Sequence, residues 1–359
     1  MNEQMQTAEW LQERHGEGQV IFGSRASGLL HSYLLALGRP GTGVVIPAIT
    51  CHALPQVIEL AEYQPVFADA DGANFLMTPE TLNASLLQAE VPVSTVIAVH
   101  TFGHLADIKA ISALCQEHGL NVIEDACQIL SGDSRNSHSD AVLFSFGHSK
   151  PVDIGGGGAL LIRDPLLAQA QAARQSELEA HGPASKADAD AFSRDYYTIR
   201  KHENTIPGSR RQVPELAQRY STLALSGSSE ANWKQLPSEL SGLSDWSDTR
   251  ARRAEQLIKF LPHDSLDILS LPQGSSPWRF TFLVKDPGQR DPLVAALRAH
   301  VRHASTWYPS LALDYGADPA LTPIANDFEK RAINLWLAEG VDDAYIQASI
   351  ETIERFFQR

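Results

Sequence analysis

At 359 residues, 43% hydrophobic and 20% charged, the chain has enough apolar side chains for the cores of two domains. A net charge of -14 argues against a nucleic-acid partner, which calls for a basic face, yet leaves room for a phosphate held by backbone and hydroxyl groups. Three cysteines without a C-x-x-C pair, a polar N-terminus, no metal-ligand spacing and no apolar run long enough for a bilayer predict a cytoplasmic protein without disulfides, metal or membrane partner.

Residues 9–14 predict a short leading helix. Val20, Ile21 and Phe22 form a brief apolar run that breaks into Gly23, Ser24, Arg25, Ala26, Ser27 and Gly28. Leu29, Leu30, Tyr33, Leu34 and Leu37 follow at helical spacing, so a small-residue turn opens a helix. Such a turn offers free N–H groups and a positive dipole end to an anion; it also suits an ordinary N-cap by Ser24 or Ser27. Strands and helices then alternate: strands at 44–46, 65–68, 95–99 and 120–123, helices at 53–60, 79–88 and from Ile108 to the stop at Gly119. The strands are apolar on both faces, as in a parallel sheet covered by helices. Ligands of such sheets sit beyond the carboxyl ends of the strands, where His100, Asp125 and Ser145 fall.

Residues 164–229 turn polar, with breakers at Gly182–Pro183 and Pro207–Gly208, and read as helices and mobile connectors. A helix at 238–261 is expected to bridge to a second domain with a strand at 278–284, a helix at 292–300 and a final helix at 344–357. The division predicted is 1–236 and 237–359.

The chemistry concentrates between Val122 and Gly158. Lys150 follows a predicted buried strand at 142–146 and precedes four glycines at 155–158, a run that lets backbone approach a ligand closely. A lysine in a dry, partly enclosed site loses basicity and can form a Schiff base; the plainer alternative is a surface lysine. Asp125 closes the neighbouring apolar run. A carboxylate there can keep a pyridinium nitrogen protonated, the condition under which pyridoxal phosphate acts as an electron sink, or it can cap the next helix.

In order along the chain, SRASGLLHSYLLALG, VVIPAITCHAL, PVFADAD, AVHTFGHLADI, VIEDACQ, SDAVLFSFGHSK and GGGG resemble the motifs of the DegT family of pyridoxal phosphate-dependent sugar aminotransferases, within the fold-type-I superfamily. The resemblance is close over residues 23–162 and looser in SPWRFTFLV, STWYPSL and INLW. It implies an α/β fold: a three-layer large domain with a mostly parallel sheet and a smaller α+β C-terminal domain. It implies pyridoxal 5'-phosphate as cofactor, an amino-acid donor (glutamate), a nucleotide-linked keto-sugar as substrate, and a homodimer with the site between subunits.

Carried over by position, Lys150 would be the Schiff-base lysine and the proton shuttle between the alpha carbon and C4′. Asp125 would pair with the ring nitrogen, Gln128 would lie near the ring hydroxyl, and Ser145, Ala26 and Ser27 would bind the phosphate. A dehydratase branch of the family has histidine in place of the lysine; spacing from Phe144–Ser145–Phe146 puts Lys150, not His148, in register. The chain departs from the pattern at Cys51 and His52, which stand where an aromatic usually covers the ring, at Cys127, and at Arg25, where serine is usual. The family's Asn-x-Arg element is not clear: Asn232 is too close to the Arg250–Arg253 cluster. Trp278, Arg279 and Tyr308 are candidates for the substrate side, with C-terminal core the plainer reading for Trp278 and Tyr308. Dehydration or epimerisation of a sugar, and a non-catalytic binding role, are the rival functions.

Overall fold

The computed structural model describes residues 3–130, 138–180, 182–202, 208–226, 231–271, 277–301, 303–337 and 340–358. The breaker expected at Pro207 lies outside them. Apolar runs build the main sheet from β1 (Gln19–Gly23), β2 (Gly43–Pro47), β3 (Gln64–Ala68), β4 (Val93–Val99), β5 (Asn121–Asp125), β6 (Ala141–Ser145) and β7 (Gly158–Ile162). Their spatial order is β1-β7-β6-β5-β4-β2-β3. The pairs from β3 across to β6 are parallel, and β7 runs antiparallel to both β6 and β1. Every residue of β2, β6 and β7 is buried, as expected of strands covered on both faces.

The leading helix α1 (Glu3–His15) is longer than residues 9–14, because Thr7, Leu11 and His15 bury one stripe at helical spacing. Helices α2 (Ala26–Leu37), α3 (Ala53–Leu60), α4 (Pro79–Gln88) and α5 (Ile108–Glu117) fall where the periodicity puts them. The cap of α2 differs from expectation. Arg25 holds the N-cap position without a side-chain bond, the Ser24 N–H is taken by Glu179 at 2.7 Å, and the Ser27 hydroxyl donates to the Ala224 carbonyl.

The helices expected between residues 164 and 229 include α6 (Pro165–Glu179) and α7 (Lys186–His202). Asp164 caps α6 by accepting from the Leu166 and Leu167 N–H groups. No residue of α7 is fully buried, so it carries little apolar period for a sequence reading to find.

A second, antiparallel sheet has the order β10-β11-β9-β8, from β8 (Leu266–Ile268), β9 (Arg279–Val284), β10 (Ala304–Ser305) and β11 (Ala332–Trp336). Of these, β9 was legible in the sequence; the others are short or lie beside helices that dominate the local pattern. The helix Leu243–Phe260 leads into this sheet and the helix Asp343–Phe357 packs on it. An apolar cluster joins Ala48, Ile49 and Phe102 of the first layer to Trp278, Leu283 and Tyr308 of the second, and so fixes the second sheet against the carboxyl edge of the first. Among the described residues no helix is long and apolar enough to cross a membrane.

Candidate active site

Strands β5 and β6 are parallel neighbours that end on Asp125 and Ser145, so both side chains reach the same edge of the sheet. The chain then leaves the sheet, crosses that edge and returns as β7; Lys150 rides on this crossing. The crossing is shaped by its own Asp153, whose carboxylate accepts from the Ser149 N–H at 2.7 Å and the Gly155 N–H at 2.9 Å. Ser149 sits in the left-handed region with φ 62, and the Lys150 N–H bonds the Gly147 carbonyl at 3.1 Å.

Glycine is required where the crossing rejoins the sheet. Gly157 has φ 91, and a Cβ there would lie 2.8 Å from the Trp233 ring. A Cβ on Gly158 would lie 2.8 Å from the Ala26 nitrogen, so β7 passes directly under the start of α2.

Three distant residues clamp the crossing from outside. The Arg250 guanidinium donates to the Pro151 carbonyl at 2.9 Å, and the Asn232 N–H to the Ile154 carbonyl at 2.8 Å. The indole N–H of Trp278 donates to the Ser149 carbonyl at 2.6 Å. The Lys150 Nζ stands 5.5 Å from the centre of that indole, and the Arg279 guanidinium lies over both Trp278 and Trp336, at 4.0 and 3.8 Å. Trp278 is 2% exposed, so it is core, as the plainer reading had it, and also holds the peptide next to the lysine.

These elements enclose a cavity of 320 Å³. Ala26, Ser27, Cys51, Asp125, Ser145 and Lys150, all singled out from the sequence, line it together, with Arg25, Cys127 and the glycines beside them. Two expected residues do not. His52 turns away: its ring stacks on Phe192 at 5.7 Å and lies 5.2 Å from Tyr196, and burial there pushes its pKa below the usual imidazole value. Gln128 is buried beneath the site with its side-chain carbonyl accepting from the Phe102 N–H at 2.8 Å. His148 borders the cavity, but its ring is exposed and 3.3 Å from the Asp153 carboxylate.

Asp125 is 6% exposed and accepts from the Cys127 N–H at 2.9 Å; a turn rather than a helix follows, so it caps no helix. Burial and the Asp125 carboxylate push the Cys127 thiol well above its ordinary pKa, so it faces the cavity uncharged. The Ser145 hydroxyl receives a long 3.5 Å contact from the Gly147 N–H, which leaves its own proton to donate to an anion. Asp153 and Arg250 were not singled out for the site; the one signal for Asp153 was an acid set between the lysine and the glycine run. An acid, an amine, a hydroxyl, an arginine and a glycine turn lining one cavity fit pyridoxal phosphate. Among the described residues no group of three or more His, Cys, Asp or Glu could hold a metal ion.

Residues 3–209 match the model of the DegT/DnrJ/EryC1/StrS aminotransferase family. Protein MosB of Rhizobium meliloti is 31% identical over 214 residues, 57% of this chain and 40% of that protein. The UDP-N-acetyl-3-dehydro-alpha-D-glucosamine 3-aminotransferase of Acidithiobacillus ferrooxidans is 33% identical over 127 residues, 34% of each chain. The matched stretch thus spans less than half the length of these curated relatives. Among solved structures, the aminotransferase TlmJ from Streptoalloteichus hindustanus superposes with a TM-score of 0.76 at 24% identity, covering 99% of this chain and 90% of that one. The putative sugar aminotransferase Spr1654 from Streptococcus pneumoniae, described in its PMP form, gives 0.75 at 17%, covering 100% and 92%. At these identities the likeness is one of fold: the large mostly parallel sheet and smaller second sheet of fold-type-I enzymes.

Proposed function

This chain belongs to the DegT/DnrJ/EryC1/StrS aminotransferase family, and from that premise we propose that it is a pyridoxal 5'-phosphate-dependent transaminase acting on a keto-sugar. The amino donor is glutamate and the sugar is nucleotide-linked. The observation that carries the reading is the meeting of Asp125 and Lys150 in one cavity at the carboxyl edge of the sheet.

When bound, the cofactor supplies an electron sink for the pair released at the amino-bearing carbon. Lys150 holds it through the side-chain amine and, once released, carries the proton at the substrate carbon. Asp125 keeps the ring nitrogen protonated. The Ser145 hydroxyl, the Ala26 and Ser27 backbone N–H groups and Arg25 would hold the phosphate at the start of α2, where the helix dipole favours an anion. Cys51, which lines the cavity, would stand where the ring is covered and is too small to cover it fully. The chain works in the cytoplasm as a homodimer, with the site completed between subunits, and divides at residues 236 and 237 into a cofactor domain and a C-terminal domain.

Reconstitution with the cofactor should give a visible absorbance band, and borohydride should fix the cofactor to the peptide holding Lys150. Lys150→Ala should lose both the fixation and the transfer of amino groups from glutamate. A labelled peptide without Lys150, or a Lys150→Ala enzyme that still turns over, would refute the assignment.

A further inference from the structure

Helix α6 carries a polar stripe on the face it turns to α2. Gln171, Gln175 and Glu179 recur every fourth residue, and the first two are 0% and 3% exposed. Glutamine seldom lines a helix–helix contact, because each buried amide must find partners there. These amides find them on α2. Gln171 donates to the Leu29 carbonyl at 3.2 Å, and Gln175 accepts from the Ser32 hydroxyl at 3.0 Å. Gln175 also donates to the Glu179 carboxylate at 3.0 Å, and the same oxygen accepts from the Ser24 N–H at 2.7 Å. The stripe thus grips α2 and ends on the turn that opens it.

Ser24 is held from both sides. Its N–H goes to Glu179, and its carbonyl accepts from the Gly157 N–H at 3.0 Å, in the glycine run. Arg25, Ala26 and Ser27 follow directly and line the cofactor cavity with it. No side chain within this turn fixes its direction: Arg25 makes no cap bond, and the Ser27 hydroxyl is spent on the Ala224 carbonyl. That task falls to groups outside α2. Glu179 is the last residue of α6, where its charge meets the negative end of that helix's own dipole; the place is favourable for what it faces, the positive start of α2.

We propose that Glu179 is a positioning residue for the cofactor phosphate. By holding the Ser24 N–H, with Gln175 holding the carboxylate in turn, it fixes the direction of the Ala26 and Ser27 N–H groups that receive the phosphate, while itself standing outside the cavity. A phosphate repels a carboxylate, so the benefit is one of geometry, and an uncharged acceptor of the same length serves as well. The inference rests on the reading of the cavity as a cofactor site.

Capture of pyridoxal 5'-phosphate and of pyridoxal, which lacks the phosphate, by the cofactor-free full chain tests it, each followed as the visible band. Glu179→Ala should weaken capture of the phosphorylated aldehyde by about fivefold to tenfold, the worth of one backbone hydrogen bond at a helix start, and leave pyridoxal unchanged. Glu179→Gln, which keeps an acceptor, should restore wild-type capture. Gln175→Leu, which frees the carboxylate, should lower the ratio in the same direction. Inorganic phosphate, its binding to the cofactor-free chain read by phosphorus NMR, should follow the same order. Glu179 is exposed, so its replacement leaves the fold intact. An equal loss for both aldehydes would make Glu179 a general prop, and unchanged or tighter phosphate binding by Glu179→Ala would make it a repelling charge; either result overturns the inference. Glu179-dependent phosphate binding in a chain that captures neither aldehyde through Lys150 would leave the phosphate cradle standing and sink the transaminase reading instead.

Discussion

Trp278→Phe tests the clamp that joins the second sheet to the lysine crossing. The indole N–H is the donor to the Ser149 carbonyl at 2.6 Å, and phenylalanine keeps a ring but loses that proton. Leaving a part-buried carbonyl unpaired costs about 1–3 kcal/mol. Trimming a side chain that is 2% exposed adds about 1 kcal/mol in lost packing, and the Arg279 guanidinium at 4.0 Å loses one of its two indole partners for about 0.5 kcal/mol more. The expected loss is therefore about 2.5–4.5 kcal/mol of folding stability, measured as a lower urea midpoint at unchanged slope. The crossing should also loosen locally, because Ser149 holds a left-handed conformation that Trp278 supports. Capture of the cofactor by Lys150, followed as growth of the visible band, should slow by about tenfold for each ~1.4 kcal/mol of order lost at the crossing. A midpoint shift worth less than about 0.5 kcal/mol, with capture at the wild-type rate, would show that Trp278 is filler and not a clamp.

Asp153→Ala removes the acceptor for both the Ser149 and Gly155 N–H groups; it should raise protease cleavage between residues 147 and 157 and destabilise by about 1–3 kcal/mol, while Asp153→Asn, which keeps one acceptor, should lose less. Stability should fall as pH drops from 6.5 towards 4. Burial lowers the pKa of His15 and of His104 from 6.5 to about 4, so in that window the unfolded chain binds protons that the folded one refuses. Each histidine contributes up to about 3 kcal/mol to the slope, and His104→Gln should flatten it; a urea midpoint constant from pH 7 to 4.5 would contradict this.

Local patterning was enough to read the alternation of strand and helix through α5, the parallel sheet, and the delivery of Asp125, Ser145 and Lys150 to one edge. A parallel strand carries its own signature of an apolar run, and the place where it ends in sequence is the place where its ligand-facing edge lies in space. The order of short motifs around those strands told which family the chain belongs to. Tertiary structure alone decided the rest. Whether Cys51 or His52 lines the cavity depends on α7, a helix with no buried stripe of its own, whose Phe192 and Tyr196 draw the imidazole out of it. The bond from Trp278 to Ser149 spans 129 residues, and neither end has a neighbour in sequence that announces it. Beta strands of two or three residues, like β10 and β8, exist because a longer partner strand offers them hydrogen bonds, a condition that periodicity along one segment does not encode.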